Sequence, residues 1–177
     1  MVTGDFSSLA KANRANSTYH EAEEEWRKGH LKRAFRLMLA SAEAGVVPAF
    51  ATVANFYDHG IGIKSEAVSA LYWYRRAYRS GDHSVANNIG CILRDRERVR
   101  QALAWFRRAA RLNDGDANLN IAKIYLYKKR DLAKAIRYLS QTRRSKWATE
   151  GSKEEAKAIL VQLSKQKRRG GGVRVHS

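Results

Sequence analysis

Residues 70–82 read ALYWYRRAYRSGD, and residues 102–116 read ALAWFRRAARLNDGD. Laid over one another, Trp73 falls on Trp105, Tyr74 on Phe106, Arg75-Arg76 on Arg107-Arg108 and Ala77 on Ala109. A weaker copy, AFRLMLASAEAG, lies upstream at 34–45, and a fourth, AIRYLSQTRR at 135–144, keeps Ala135 and puts Tyr138 at the tryptophan position. Copies starting 32–36 residues apart mark a chain built by stacking one small unit.

The segments preceding each copy align as well: TVANFY (52–57), NIGCIL (88–93) and NIAKIY (120–125) centre on Ala54, Gly90 and Ala122. An apolar-small-x-apolar-apolar pattern suits a short helix packed closely on its neighbour. In the following helix, Ala70, Trp73, Tyr74 and Ala77 recur at i, i+3, i+4 and i+7, one buried stripe. The unit is therefore helix A, turn, helix B, ending at Gly45, Gly81 or Gly115, where glycine accepts the left-handed conformation that closes a helix. Thr18 with Glu21 and Ser152 with Glu155 have capping-box spacing, Asp131 can cap a helix, and Pro48 suits a first helical turn.

These signals predict helices near 18–28, 31–44, 48–58, 66–80, 83–94, 97–112, 116–127, 131–143 and 152–166. The expected fold is all-α: a right-handed α-solenoid of about four antiparallel helix pairs with a C-terminal closing helix. Residues 1–17 read as a partly flexible extension, 18–166 as one repeat domain, and 167–177, KRRGGGVRVHS, as a basic flexible tail with a hinge at Gly170–Gly172.

The block AxxWYRRAxxxG, preceded by YDHGIG, resembles the Sel-one-like repeat, a relative of the tetratricopeptide repeat. Residues 48–81 match its pattern at Ala54, Tyr57, Gly60, Gly62, Ala70, Trp73, Tyr74, Ala77 and Gly81. Residues 82–115 match in helix B, but their turn RDRERVR is shorter and lacks the paired glycines; 116–149 match loosely, and 18–45 are tetratricopeptide-like. The resemblance implies an adaptor that binds other proteins. Bacterial members of the family include regulators, secretion-associated factors and immunity partners of toxins.

Charge narrows the choice of partner. The chain has 34 Lys and Arg against 17 Asp and Glu, net +17, and 11 of those net charges lie beyond residue 115. A field of one sign attracts acidic proteins, nucleic acid or anionic lipid. Arg94, Arg96, Arg98 and Arg100 occupy one A-to-B turn, and Lys128, Lys129 and Arg130 the next. Stacked repeats would bring these turns to one edge as a basic stripe, to which Arg143 and Arg144 add. A turn is also where solvated charge collects, and Asp95 and Glu97 interrupt the first cluster.

Asn55, Asn88 and Asn120 fall in helices A, where asparagine is a poor helix former. In tetratricopeptide-like solenoids these helices line the concave groove, so the three, with Lys123 and Tyr127, form a candidate partner-binding set. An asparagine there can pair with a peptide backbone through donor and acceptor together, or bond between neighbouring helices. The expected partner is a protein or peptide with an acidic surface, bound by a monomer or homodimer. Nucleic acid is the alternative, for which exposed aromatics are the discriminator: Trp73, Trp105, Tyr74 and Phe106 are expected in the core, leaving Tyr127, Trp147 and Tyr78. An anionic membrane surface ranks last, because helix 152–166 lacks an aromatic.

Signatures of chemistry are weak. The histidines are scattered, with no HExxH pair and no second cysteine, so no metal site or cofactor is expected. Asp58-His59 sits where a helix ends and reads as a cap. Gly60-x-Gly62 lacks a following GK[ST] and reads as turn geometry. The acidic run EAEEEW (21–26) reads as a solvated first-turn face. Cys91, in IGCIL, reads as a small buried hydrophobe. With no apolar leader or spanning segment in view, a reduced, cytoplasmic, non-enzymatic binding protein is the expectation.

Overall fold

The computed structural model describes residues 5–170, with side chains described over 7–166. Among them run nine α-helices and no strand: α1 Asp5–Arg27, α2 Leu31–Glu43, α3 Val47–His59, α4 Ala67–Arg79, α5 Ala86–Asp95, α6 Val99–Arg111, α7 Gly115–Lys123, α8 Leu132–Arg144 and α9 Glu150–Gly170. A 3-10 turn, His83–Val85, precedes α5, and a π-helical turn, Ile124–Lys128, prolongs α7. The chain divides into two compact units at Val85–Ala86.

In the first unit α1 pairs with α2 and α3 with α4, and α2 packs on α3. The stripe expected in helix B is present in α4: Ala70, Trp73, Tyr74 and Ala77 are all buried. Phe56 of α3 is fully enclosed, with Trp26 meeting it edge-on at 4.9 Å between centroids and Phe35 tilted against it at 6.3 Å. Pro48 lies in the first turn of α3, where its missing N–H leaves no helical bond unmade. The GIG turn is fixed by contact. Gly62 has φ 71°, and a Cβ there would run into the backbone of Leu31 and Lys32.

The second unit repeats the plan with α5–α6 and α7–α8, and α9 packs on α8 and α7. The closing helix expected at the C-terminus is therefore present: Ala156 and Ile159 of α9 complete a cluster with Leu119, Ala122 and Leu139. Gly90 stands where any Cβ would press on the Phe106 ring, so the small residue at the centre of NIGCIL admits the aromatic of the next helix. Phe106 is fully buried as a result.

Several boundaries differ from the sequence reading. Helix α1 begins at Asp5, within the stretch expected to be an extension, and the Thr18 hydroxyl donates to the Arg14 carbonyl from inside it rather than capping a start. Helix α9 begins two residues before Ser152, and its cap is Thr149, whose Oγ1 accepts from Ser152 N–H at 3.3 Å. Gly115 opens α7 instead of closing α6; the left-handed position between them is Asn113, φ 65°. Gly115 is required there for a different reason, since a Cβ would strike Ala148 and Ser145. Asp131 caps α8 as expected, accepting from Lys134 N–H at 3.0 Å. Helix α9 runs on through Gly170, into the stretch expected to be a tail from 167; the rest of that expectation, over 171–177 with Gly171 and Gly172 of the hinge, lies outside the described residues.

Candidate functional site

Asn55 and Asn120 are each engaged within their own unit. Asn55, in the first unit, lies 3.2 Å from the His59 ring one turn on. Asn120 is committed within the second unit: its carbonyl oxygen accepts from Arg94 Nη1 at 2.8 Å, and its amide donates to Asn87 at 3.1 Å. The side chain thus ties α7 to α5, the interhelical alternative. Lys123 pairs with Glu155 of α9 at 2.7 Å. Asn88 is half-buried, and Tyr127 is exposed over 63% of its surface.

The two basic turns do come together. Lys128 donates to both carboxylate oxygens of Glu97, at 2.8 and 2.9 Å, joining the α7–α8 turn to the α5–α6 turn. Both turns close on left-handed residues, Glu97 at φ 57° and Arg130 at φ 52°, which substitute for the glycines of the GIG turn. Arg94 is drawn away from this edge, bonded to Asp95 at 2.8 Å as well as to Asn120. Arg96 and Arg98 are exposed. Arg143 and Arg144 occupy the far end of α8, roughly 18 Å along the helix from its start at Leu132, and Arg144 donates to the Ser140 carbonyl one turn earlier.

Beside the joined turns lies a cleft of about 490 Å³ lined by Arg100, Leu103, Arg107, Tyr125, Lys129, Asp131 and Lys134. A second hollow, about 470 Å³, shares Arg100 and Lys129 with it and adds Glu97, Arg98, Val99 and Gln101. Arg107 donates to the Tyr125 hydroxyl at 2.9 Å. Tyr125 stacks on Tyr138 with centroids 5.8 Å apart, and the Lys134 ammonium lies 5.4 Å from its ring centre. Asp131 holds that ammonium at 2.7 Å, which lowers the Asp131 carboxyl and raises the Lys134 ammonium relative to their ordinary values. The sequence reading aligned Arg107 with Arg75 without giving it a role, and passed over Lys134 and Tyr125. The two strongest copies carry Ser69 and Gln101 at the position of Lys134, and nothing in IYLYK announces the π turn that lets Lys129 N–H bond to Ile124 carbonyl and aims Tyr125.

The expected core aromatics differ in depth. Trp73, Tyr74 and Phe106 are buried, whereas Trp105 is half-buried beneath the Arg108 guanidinium at 4.8 Å. Arg76 takes the same place in the preceding repeat, 5.1 Å from Trp73 and 4.3 Å from Phe50. The second arginine of each WYRR or WFRR block therefore covers its own repeat's tryptophan. Trp147 is 65% exposed and Tyr78 half-buried against His83. Cys91 is half-buried rather than buried, 3.8 Å from the Asn120 amide.

The acidic run is paired rather than merely solvated. Glu25 is buried and meets His30 at 2.8 Å, Lys28 at 3.4 Å and Arg33 at 3.6 Å; Arg33 also meets Glu21 at 2.7 Å. The His30 hydrogen bond, with Lys28 and Arg33 behind it, holds the Glu25 carboxyl below the usual range. Asp58 accepts from the Tyr74 hydroxyl at 3.4 Å while its carbonyl takes the Ser65 hydroxyl, a tie across the turn. Among the described residues no group of His, Cys, Asp and Glu is arranged to hold a metal, and no helix is long and apolar enough to cross a membrane.

The Sel1 repeat family model matches residues 53–82, 89–114 and 115–142. No curated protein matches by sequence. Among solved structures, c5321, described as a protective antigen of uropathogenic Escherichia coli with an SLR fold, superposes with TM-score 0.68 at 17% identity, over 84% of this chain and 34% of its own. A Sel1 repeat protein from Oxalobacter formigenes superposes with TM-score 0.57 at 20% identity, over 70% of this chain and 54% of its own. The chain spans about a third and about half of these two, and the likeness at such identity is one of fold.

Proposed function

Because the chain is a Sel1-repeat protein, we propose that it is a non-catalytic adaptor that binds a protein or peptide partner with an acidic surface. The observation carrying this reading is the junction of two repeat turns through Glu97 and Lys128, which gathers Arg98, Arg100 and Lys129 on one edge. Repeat stacking turns sequence-distant cations into one surface, and a like-signed surface selects an opposite one. Regulation, or neutralisation of a toxin, are specific forms such binding would take.

Net charge +17 also favours nucleic acid, the competing reading. Against it, Trp73 and Tyr74 of the strongest repeat lie in the core, where no base can stack, which leaves the exposed Tyr127 and Trp147 as the aromatics open to that reading. Affinity capture from native lysate, with and without nuclease and at two salt concentrations, separates the two. A protein retained after nuclease treatment supports the adaptor. Recovery of nucleic acid alone, lost as salt rises, overturns it.

A further inference from the structure

We infer that the paired hollows around Arg100 and Lys129 form a furrow that receives a carboxylate-rich peptide segment, with Arg100 and Lys129 as the wall common to both and Arg107–Tyr125 as a fixed donor at one end. The inference rests on the adaptor reading and locates its contact.

The charge balance of the furrow is asymmetric in the required sense. Arg98, Arg100, Arg107, Lys129 and Lys134 face Glu97 and Asp131 alone. Both carboxylates are already occupied, Glu97 by Lys128 from outside the lining and Asp131 by Lys134. Neither answers Arg98, Arg100 or Lys129. Arg107 spends one N–H on Tyr125 and keeps the rest of its fork, the geometry that grips a carboxylate with two parallel bonds. The Tyr125 hydroxyl, accepting from Arg107, still has its own O–H to donate. The residue is 8% exposed and its ring is clamped by Tyr138 and Lys134, so this donor is held in place before any ligand arrives.

Size and lining decide the kind of anion. Each hollow, about 490 and about 470 Å³, suits one or two side chains and the backbone carrying them, with Leu103 and Val99 as apolar floor for the stems. Tyr125 is the furrow's aromatic, and with its faces covered it offers no stacking platform to a base. Oxygen anions on a peptide fit this site better than a nucleotide chain.

Fluorescence anisotropy with a labelled short poly-glutamate peptide, alongside a labelled oligothymidylate of equal charge, tests the site at about 150 mM salt. The variant is Arg100→Gln with Lys129→Gln, both exposed; the charge-matched control is Arg143→Gln with Arg144→Gln at the other end of α8. Circular dichroism verifies that each keeps its helix. Loss of roughly tenfold in peptide affinity for the furrow variant, against less than about twofold for the control, is expected. Equal losses in both overturn the furrow and leave only the general field of the chain; so does absence of peptide binding by the wild type. A captured protein partner that stays bound to the furrow variant overturns the furrow while the adaptor stands. Preference for the oligothymidylate, abolished by the same variant, overturns both.

Discussion

Two residues show how differently the same apparent motif can be used. Asn120 reads from sequence as a groove residue, yet its amide is consumed by Arg94 and Asn87. Replacing it by alanine strands half-buried donors and acceptors on α5, so Asn120→Ala should lower stability by about 1–3 kcal/mol, seen as a lower thermal midpoint. Unchanged stability with lost partner binding would return it to the groove. Gly62 carries the opposite lesson, since its role was legible in the paired glycines of the turn. With φ 71° and the Leu31 backbone against it, Gly62→Ala should cost at least about 1–3 kcal/mol, measured by denaturant unfolding. Glu25 adds a pH dependence. Its folded pKa lies below its unfolded value near 4.3, so its stabilising contribution is complete above that value and disappears as pH falls through the folded pKa. The difference in thermal midpoint between wild type and Glu25→Gln should therefore be widest near about pH 6 and shrink toward about pH 3.

At the scale of elements, the closing helix is where sequence pattern and packing agree. Ala156 and Ile159 of α9 cover Leu119, Ala122 and Leu139, which would otherwise face water at the end of the last repeat. Ile159→Ala should destabilise by about 2–4 kcal/mol, while Val161→Ala, on the 47%-exposed side of the same helix, should be close to neutral by the same unfolding measurement. Helix B of each repeat was readable because its buried stripe recurs at helical spacing in four copies. The helix A set was not, because position in a helix does not say whether a polar side chain meets a ligand or a neighbouring helix. The furrow was half-readable. The turn cations recur at the repeat interval, but the two strongest copies carry Ser69 and Gln101 where the fourth has Lys134, and Tyr125 is aimed by a π turn that local sequence does not encode. Helix starts misled where a capping-box spacing fell inside a longer helix, as at Thr18, whose hydroxyl serves Arg14 instead.

For the molecule as a whole, charge is unevenly divided between the two units. Residues 86–177 hold 23 Lys and Arg against 8 Asp and Glu, net +15, while residues 1–85 hold 11 against 9. The second unit therefore sets the long-range field, and within it the proposed furrow gathers Arg98, Arg100 and Lys129, to which no carboxylate among the described residues is paired. Calorimetric titration of the nuclease-treated protein with its captured and purified partner, at about 150 mM and again at about 500 mM salt, tests the central claim. A stoichiometric protein complex, weakened but not abolished at the higher salt, is the result predicted. No heat with the protein, and binding instead to single-stranded oligonucleotide that vanishes at high salt, would contradict it.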